Sequence, residues 1–294
     1  MSHQHFNWPL SALAFAVAGC SLMIFSLGCG GEGGPIGAGN PPAYTAANGL
    51  NGGRSYDKFW AVETGWNQGD PNLAFFNAKP DFFRCKQCHG WDRLGNTGSY
   101  IGRAPNANRP RVSSVNLAAV AIAMTPQELF NAIKRSTGRR AIDADLSTYD
   151  PNTNFVVGDQ MPDVGSIFTD AQVWELVKFL KAQAMDVTQL YDFQTNGVYP
   201  TGTIQYSNIG RTGIAANGDA TYASKCAGCH GATGTAIIVD GTYHVGSFLR
   251  AKPNEAHHKI MCGQLGSTMG SQVTSLSQMR DLYKALTNST NYPD

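Results

Sequence analysis

Lys225–Gly231 reads "KCAGCHG", and Arg84–Gly90 reads "RCKQCHG". Each stretch holds two cysteines three positions apart with a histidine directly after the second. On a single helical turn this spacing brings both thiols to one side and sends the imidazole out beside them. A lone Cys-x-x-Cys also suits a thioredoxin-like redox pair, and two such pairs suit a zinc ribbon. Neither needs a histidine after each pair, and a ribbon would have to bridge about 140 residues, far beyond its usual spacing.

The reading that uses every residue of the motif is covalent haem attachment. Two thiols add across the vinyl groups of a haem, and the following histidine supplies the proximal imidazole to iron. Cys85 and Cys88 are expected to hold one haem c with His89 as ligand. Cys226 and Cys229 are expected to hold a second, with His230.

The chain has 294 residues, a net charge of +1 and 15% charged residues, enough length for two domains. Basic and acidic residues are interspersed with no basic stripe or tail, which excludes a nucleic-acid partner and names no other partner by charge. No Ser-His-Asp set, phosphate-binding loop or dinucleotide fingerprint occurs. Leu10–Leu27 is an uncharged run, followed by a Gly/Pro-rich stretch that cannot build a core. Export signal, lipoprotein signal and retained anchor all fit that run. "SLGC" ending at Cys29 resembles the lipobox of bacterial lipoproteins, as does "VAGC" ending at Cys20. Cleavage at Cys29 leaves a glycine tether on the mature end and is preferred. Each reading places the protein in the periplasm or on the outer face of a bacterial membrane, held there by a lipid or an N-terminal anchor. Cys262 is then the leftover thiol, read as a small buried hydrophobe.

The halves repeat one plan. "NGGRSY" (Asn51–Tyr56) parallels "NGDATY" (Asn217–Tyr222), each leading towards a Cys-x-x-Cys-His motif. After the first motif, "TPQELFNAIK" sets Thr125 as N-cap, Pro126 at the first helical position and Glu128 as its capping-box partner. "KPNEAHHKIMCG" holds the corresponding place in the second half. The last helices align as "QVWELVKFL" on "QMRDLYKAL". Val173, Leu176, Val177 and Leu180 share one face, as do Met279, Leu282, Tyr283 and Leu286. Thr169 and Gln172 form a second capping box.

This order resembles class I cytochromes c. The resemblance implies an all-α fold of two cytochrome c-like helical domains in tandem, each wrapped around a covalent haem c. The expected boundaries are 1–28 for the export segment, 29–50 for the tether, 51–192 and 207–294 for the domains, and 193–206 for a polar linker. In this family a methionine ahead of the last helix closes the far side of the iron. "GDQMPD" makes Met161 that ligand in the first half, and "GSTMGS" makes Met269 its counterpart, although no proline follows it. His244, His257, His258 and Met261 are rivals in the second half. Phe59, Trp60, Trp66, Phe75, Phe76, Phe82 and Phe83, in an insertion of the first domain, are expected to pack over its haem. Arg103, Arg109 and Arg111 are candidates for a haem propionate, and Trp91 for the haem lining. The function implied is electron transfer between a redox donor and acceptor. A dihaem oxidoreductase, peroxidase-like or oxidising a sulfur compound, or a subunit of one, is the alternative, with catalysis at one haem.

Overall fold

The chain is described from a computed structural model at residues 39–62, 76, 78, 81–142 and 161–294. The apolar run with Cys20 and Cys29 lies outside these residues, as do Trp66, Phe75 and most of the loop before Met161. Asn40–Asp294 forms one unit that contains both Cys-x-x-Cys-His motifs.

Short helix α1 (Pro42–Ala46) leads to α2 (Gly49–Lys58), where the Asn48 side chain caps the N–H groups of Leu50 and Asn51. Helix α3 (Cys85–His89) is the first motif itself, followed by α4 (Leu117–Ala123) and α5 (Pro126–Lys134). Helix α6 (Asp170–Lys178) runs on into a π-turn over Phe179–Gln183. The boxes at Thr125–Glu128 and Thr169–Gln172 form as the sequence indicates, each satisfying backbone donors at both ends of the box.

The second half repeats the order with α7 (Ala215–Lys225), α8 (Ala227–His230), α9 (Val245–Ala251), α10 (Pro253–Cys262) and α11 (Leu276–Leu286). First and last helices cross in both halves, α2 on α6 and α7 on α11. Each crossing is made through a glycine. A Cβ on Gly52 would sit 1.9 Å from the Glu175 carbonyl oxygen, and one on Gly218 would sit 2.0 Å from that of Asp281. Beside each crossing, Asn51 Nδ2 donates to Glu175 Oε1 at 3.1 Å and Asn217 Nδ2 donates to Asp281 Oδ2 at 3.4 Å. These are the positions that pair when the two halves of the sequence are aligned.

The joining segment differs from its expectation. Residues 193–206 read as a linker without regular structure, yet β1 (Asp192–Asn196) and β2 (Thr203–Ser207) pair antiparallel, Phe193 opposite Tyr206. Half-buried Ile204 and Tyr206 alternate with exposed neighbours, the period of a strand resting one face on a core. Phe193 and Tyr206 both pack on Tyr191. The fold is therefore helical with a two-stranded ribbon rather than purely α. Tyr56 and Val177 of the first half and Met261, Met279 and Leu282 of the second belong to one contiguous apolar core. The predicted inward faces of α6 and α11 are buried, and Cys262 is only 2% exposed.

Candidate haem sites

Helix α3 ends at Gly90, whose φ of 80° and ψ of 158° suit a residue without a Cβ and turn the chain away at once. The Gly90 carbonyl accepts a hydrogen bond of 2.7 Å from the Tyr56 hydroxyl on α2, tying the motif to the helix crossing. Cys85, Cys88 and His89 line a cavity of about 660 Å³ whose wall also includes Met161 and Pro162. Leu129 and Ile133 of α5 and Leu176 and Leu180 of α6 and its π-turn make the apolar sides. Phe82 and Phe83 cover it, backed by Trp60 and Phe76, as expected of the aromatic insertion.

Burial pushes the Cys85 and Cys88 thiols up to about 12. Burial and then the Arg139 charge lower His89 to about 4, so its imidazole is neutral and its ring lone pair is available. Among the described residues the buried His89 Nδ1 has no hydrogen-bond partner. A cavity of ligand size with mostly apolar walls, two thiols one turn apart, a neutral imidazole and a thioether on the same wall is a donor set that fits haem c.

The guanidinium candidates separate in space. Arg111 lines the cavity, whereas Arg109 donates to the Ala104 carbonyl and Arg103 lies 3.8 Å from Asp81. Arg135 and Arg139, which sequence reasoning missed, also line the cavity. They lie nearly fifty residues beyond the motif, and their only local sign is a basic cluster just after α5. Trp91 is not a cavity residue and packs instead on His258 of α10, with ring centroids 4.8 Å apart.

At the second motif the local geometry recurs. Gly231 ends α8 with φ 77° and ψ 165°, and the Tyr222 hydroxyl donates to its carbonyl at 2.8 Å. His230 Nδ1 is again buried without a partner, and burial lowers the imidazole. Burial raises Cys226 to about 11. The Met269 carbonyl accepts from Gln264 N–H at 2.9 Å, as the Met161 carbonyl accepts from Arg140 N–H at 3.2 Å. The cover differs at the second cysteine, because Cys229 is exposed where Cys88 is half-buried, while Met161 and Met269 are both half-buried. None of Cys226, Cys229, His230 and Met269 lines the first cavity.

The histidine rivals find other places. His257 and His258 are 2% and 1% exposed within the core, and Met261 is fully buried there. His244 heads α9 with its Nδ1 3.4 Å from the Ile237 carbonyl.

No curated protein and no solved structure gives a match to the chain. The family model described as cytochrome c matches residues 73–184, a span that begins ahead of the first motif, takes in Met161 and ends just past the π-turn. Residues 73–184 thus carry a cytochrome c domain, of the class I kind and built to hold covalent haem for electron transfer.

Proposed function

We propose that the chain is an exported dihaem c-type cytochrome that passes electrons between a donor and an acceptor protein through two six-coordinate haems. The observation that carries this reading is the recurrence, around both motifs, of one set of contacts. These are the glycine at each helix crossing, the asparagine beside it, the tyrosine hydroxyl on the post-motif carbonyl, and the backbone bond to each methionine carbonyl.

A covalently held haem supplies a one-electron iron couple to each half. The chain's residues do the rest. Cys85 with Cys88, and Cys226 with Cys229, hold the ring by thioether bonds. His89 and His230 offer neutral imidazole, and Met161 and Met269 offer soft thioethers that favour a raised potential. Arg111, Arg135 and Arg139 place positive charge at the wall of the first cavity and could pair with the carboxylates of a bound haem. The N-terminal run is assigned to export with lipidation at Cys29, which would anchor the electron carrier on the outer face of a bacterial membrane. Radiolabelled palmitate should enter the protein and be lost in Cys29→Ser.

A second reading, a dihaem oxidoreductase with catalysis at the second haem, draws on the exposed Cys229 and on the missing proline after Met269. Carbon monoxide separates the two. If the dithionite-reduced protein keeps its Soret spectrum under carbon monoxide, both irons hold their sixth ligands and the carrier reading stands. Binding by half the haem overturns it in favour of the oxidoreductase.

A further inference from the structure

Helix α10 holds a histidine that neither haem site uses. His258 is 1% exposed and, among the described residues, neither of its ring nitrogens has a hydrogen-bond partner. Leaving a buried polar group unsatisfied is costly, so such a group calls for a physical reason. Its surroundings belong to the first half. The ring lies 4.8 Å from Trp91, 5.7 Å from Phe179 and 6.2 Å from Tyr56, centroid to centroid.

The repeat shows what is unusual about this face. Counting from the proline that opens each helix, His258 corresponds to Asn131 of α5, which is exposed. Ile260 corresponds to Ile133, which lines the first cavity. Thus α10 turns its Ile260 side towards the second motif's domain and its His258 side into the first half. Ile260 also reaches the methionine loop, its carbonyl accepting from Gln272 N–H at 2.9 Å, three residues past Met269. On the other side, Trp91 follows His89 by two residues, and Tyr56 both lines the first cavity and bonds the Gly90 carbonyl.

Resting on the dihaem reading above, we propose that the Trp91–His258 ring contact is the route by which an electron crosses between the two haem sites. One electron leaves the reduced site and arrives at the oxidised one, with no proton, atom or further reagent involved. The rings act as a tunnelling bridge and are not themselves oxidised. Lys259 Nζ lies 4.5 Å from the Trp91 centroid, and positive charge there disfavours an indole radical cation. Burial, offset only in part by Asp57, lowers His258 to about 3, so a neutral ring meets Trp91 at ordinary pH.

The test uses the full haem-loaded protein. A flash of photoreductant delivers less than one electron per chain, and the concentration-independent relaxation between the two haem spectra is followed. Replacing an aromatic ring by a saturated side chain weakens electronic coupling, so His258→Leu and Trp91→Leu should slow this relaxation about tenfold or more. Midpoint potentials and the count of two covalent haems should stay unchanged. His258→Phe keeps a ring and should retain the parent rate. Tyr206→Phe, which removes a different bond between the ribbon and α10, should also retain it. A nuclear Overhauser contact between the Trp91 and His258 rings should be present in the parent protein.

A parent rate in both leucine variants, or absence of that ring contact, overturns the route while leaving two haems in place. A slowing that appears only with shifted potentials or in Tyr206→Phe also overturns it, since the ring pair would then act as packing. A single haem per chain instead defeats the dihaem reading, and the route with it.

Discussion

The two Cys-x-x-Cys-His sites share their local geometry and differ in their cover. Gly90 and Gly231 take nearly the same backbone angles, and each carbonyl is held by the tyrosine of the preceding long helix. Around Cys85 and Cys88, an aromatic insertion and the Met161 loop close a cavity of about 660 Å³. Around Cys226 and Cys229, no such insertion exists and Cys229 faces solvent. The turn that presents thiols and imidazole is thus a matter of a few residues in sequence contact. Enclosure depends in addition on side chains outside the motif, from the adjacent Phe82 and Phe83 to the distant Met161, Leu176 and Leu180, and it sets how strongly water can reach a bound group.

The largest effect should come from the methionines. Met161→Ala should open the enclosed site and let half of the total haem bind carbon monoxide in the reduced spectrum. Met269→Ala should open the other half. If Met269→Ala changes nothing, the equivalence of the two loops is broken. The helix crossings offer a sharper comparison of the scaffolds. Gly52→Ala and Gly218→Ala each drive a methyl into a carbonyl oxygen. Overpacking of this kind costs about 1–3 kcal/mol or more, read as a lower midpoint in denaturant. A cost at Gly52 with none at Gly218 would mean that the second crossing is not built as the first.

Acid should distinguish α10 from α5. Burial lowers His257 and His258 to about 3, against an ordinary value of 6.5. Between those values each histidine takes up a proton only on unfolding. Stability is therefore full above about pH 6.5 and falls with decreasing pH, by about 1.4 kcal/mol per pH unit for each histidine. The corresponding residues of α5 are Phe130 and Asn131, which do not titrate. His258→Phe should flatten the slope by about one proton, as measured by urea melts from pH 7 to 4. The smallest effect is that of the tyrosines. Tyr56→Phe and Tyr222→Phe each remove one bond to a motif carbonyl, worth about 1 kcal/mol. The loss should be the greater at Tyr56, whose bond to the Gly90 carbonyl is buried, than at Tyr222, whose bond to the Gly231 carbonyl is only part-buried.

Much of the scaffold is legible in the sequence because its causes are local. Thr125 with Glu128, and Thr169 with Gln172, announce helix starts that form as read. The stripe Met279, Leu282, Tyr283 and Leu286 announces a buried face, and all four are buried. The tyrosine contacts were within reach, since Tyr56 and Tyr222 already align, but a hydroxyl bond to a carbonyl leaves no pattern. Other features arise only when distant segments meet. His257 and His258 sit in a polar-looking helix whose outer face is buried by α2 and Trp91 of the other half. Arg135 and Arg139 reach the cavity because α5 lies along it. The ribbon was hidden because β1 holds one apolar residue, Phe193, and β2 two, Ile204 and Tyr206, with Gly197 and Gly202 in the turn between them, so the stretch looks like a polar linker.

The intact mass of the mature protein, with peptide mapping of its haem-bearing fragments, tests most directly whether both motifs carry covalent haem. Two haems per chain are expected, one on the peptide with Cys85 and Cys88 and one on that with Cys226 and Cys229. A single haem, with free thiols recovered at Cys226 and Cys229, would contradict the dihaem reading.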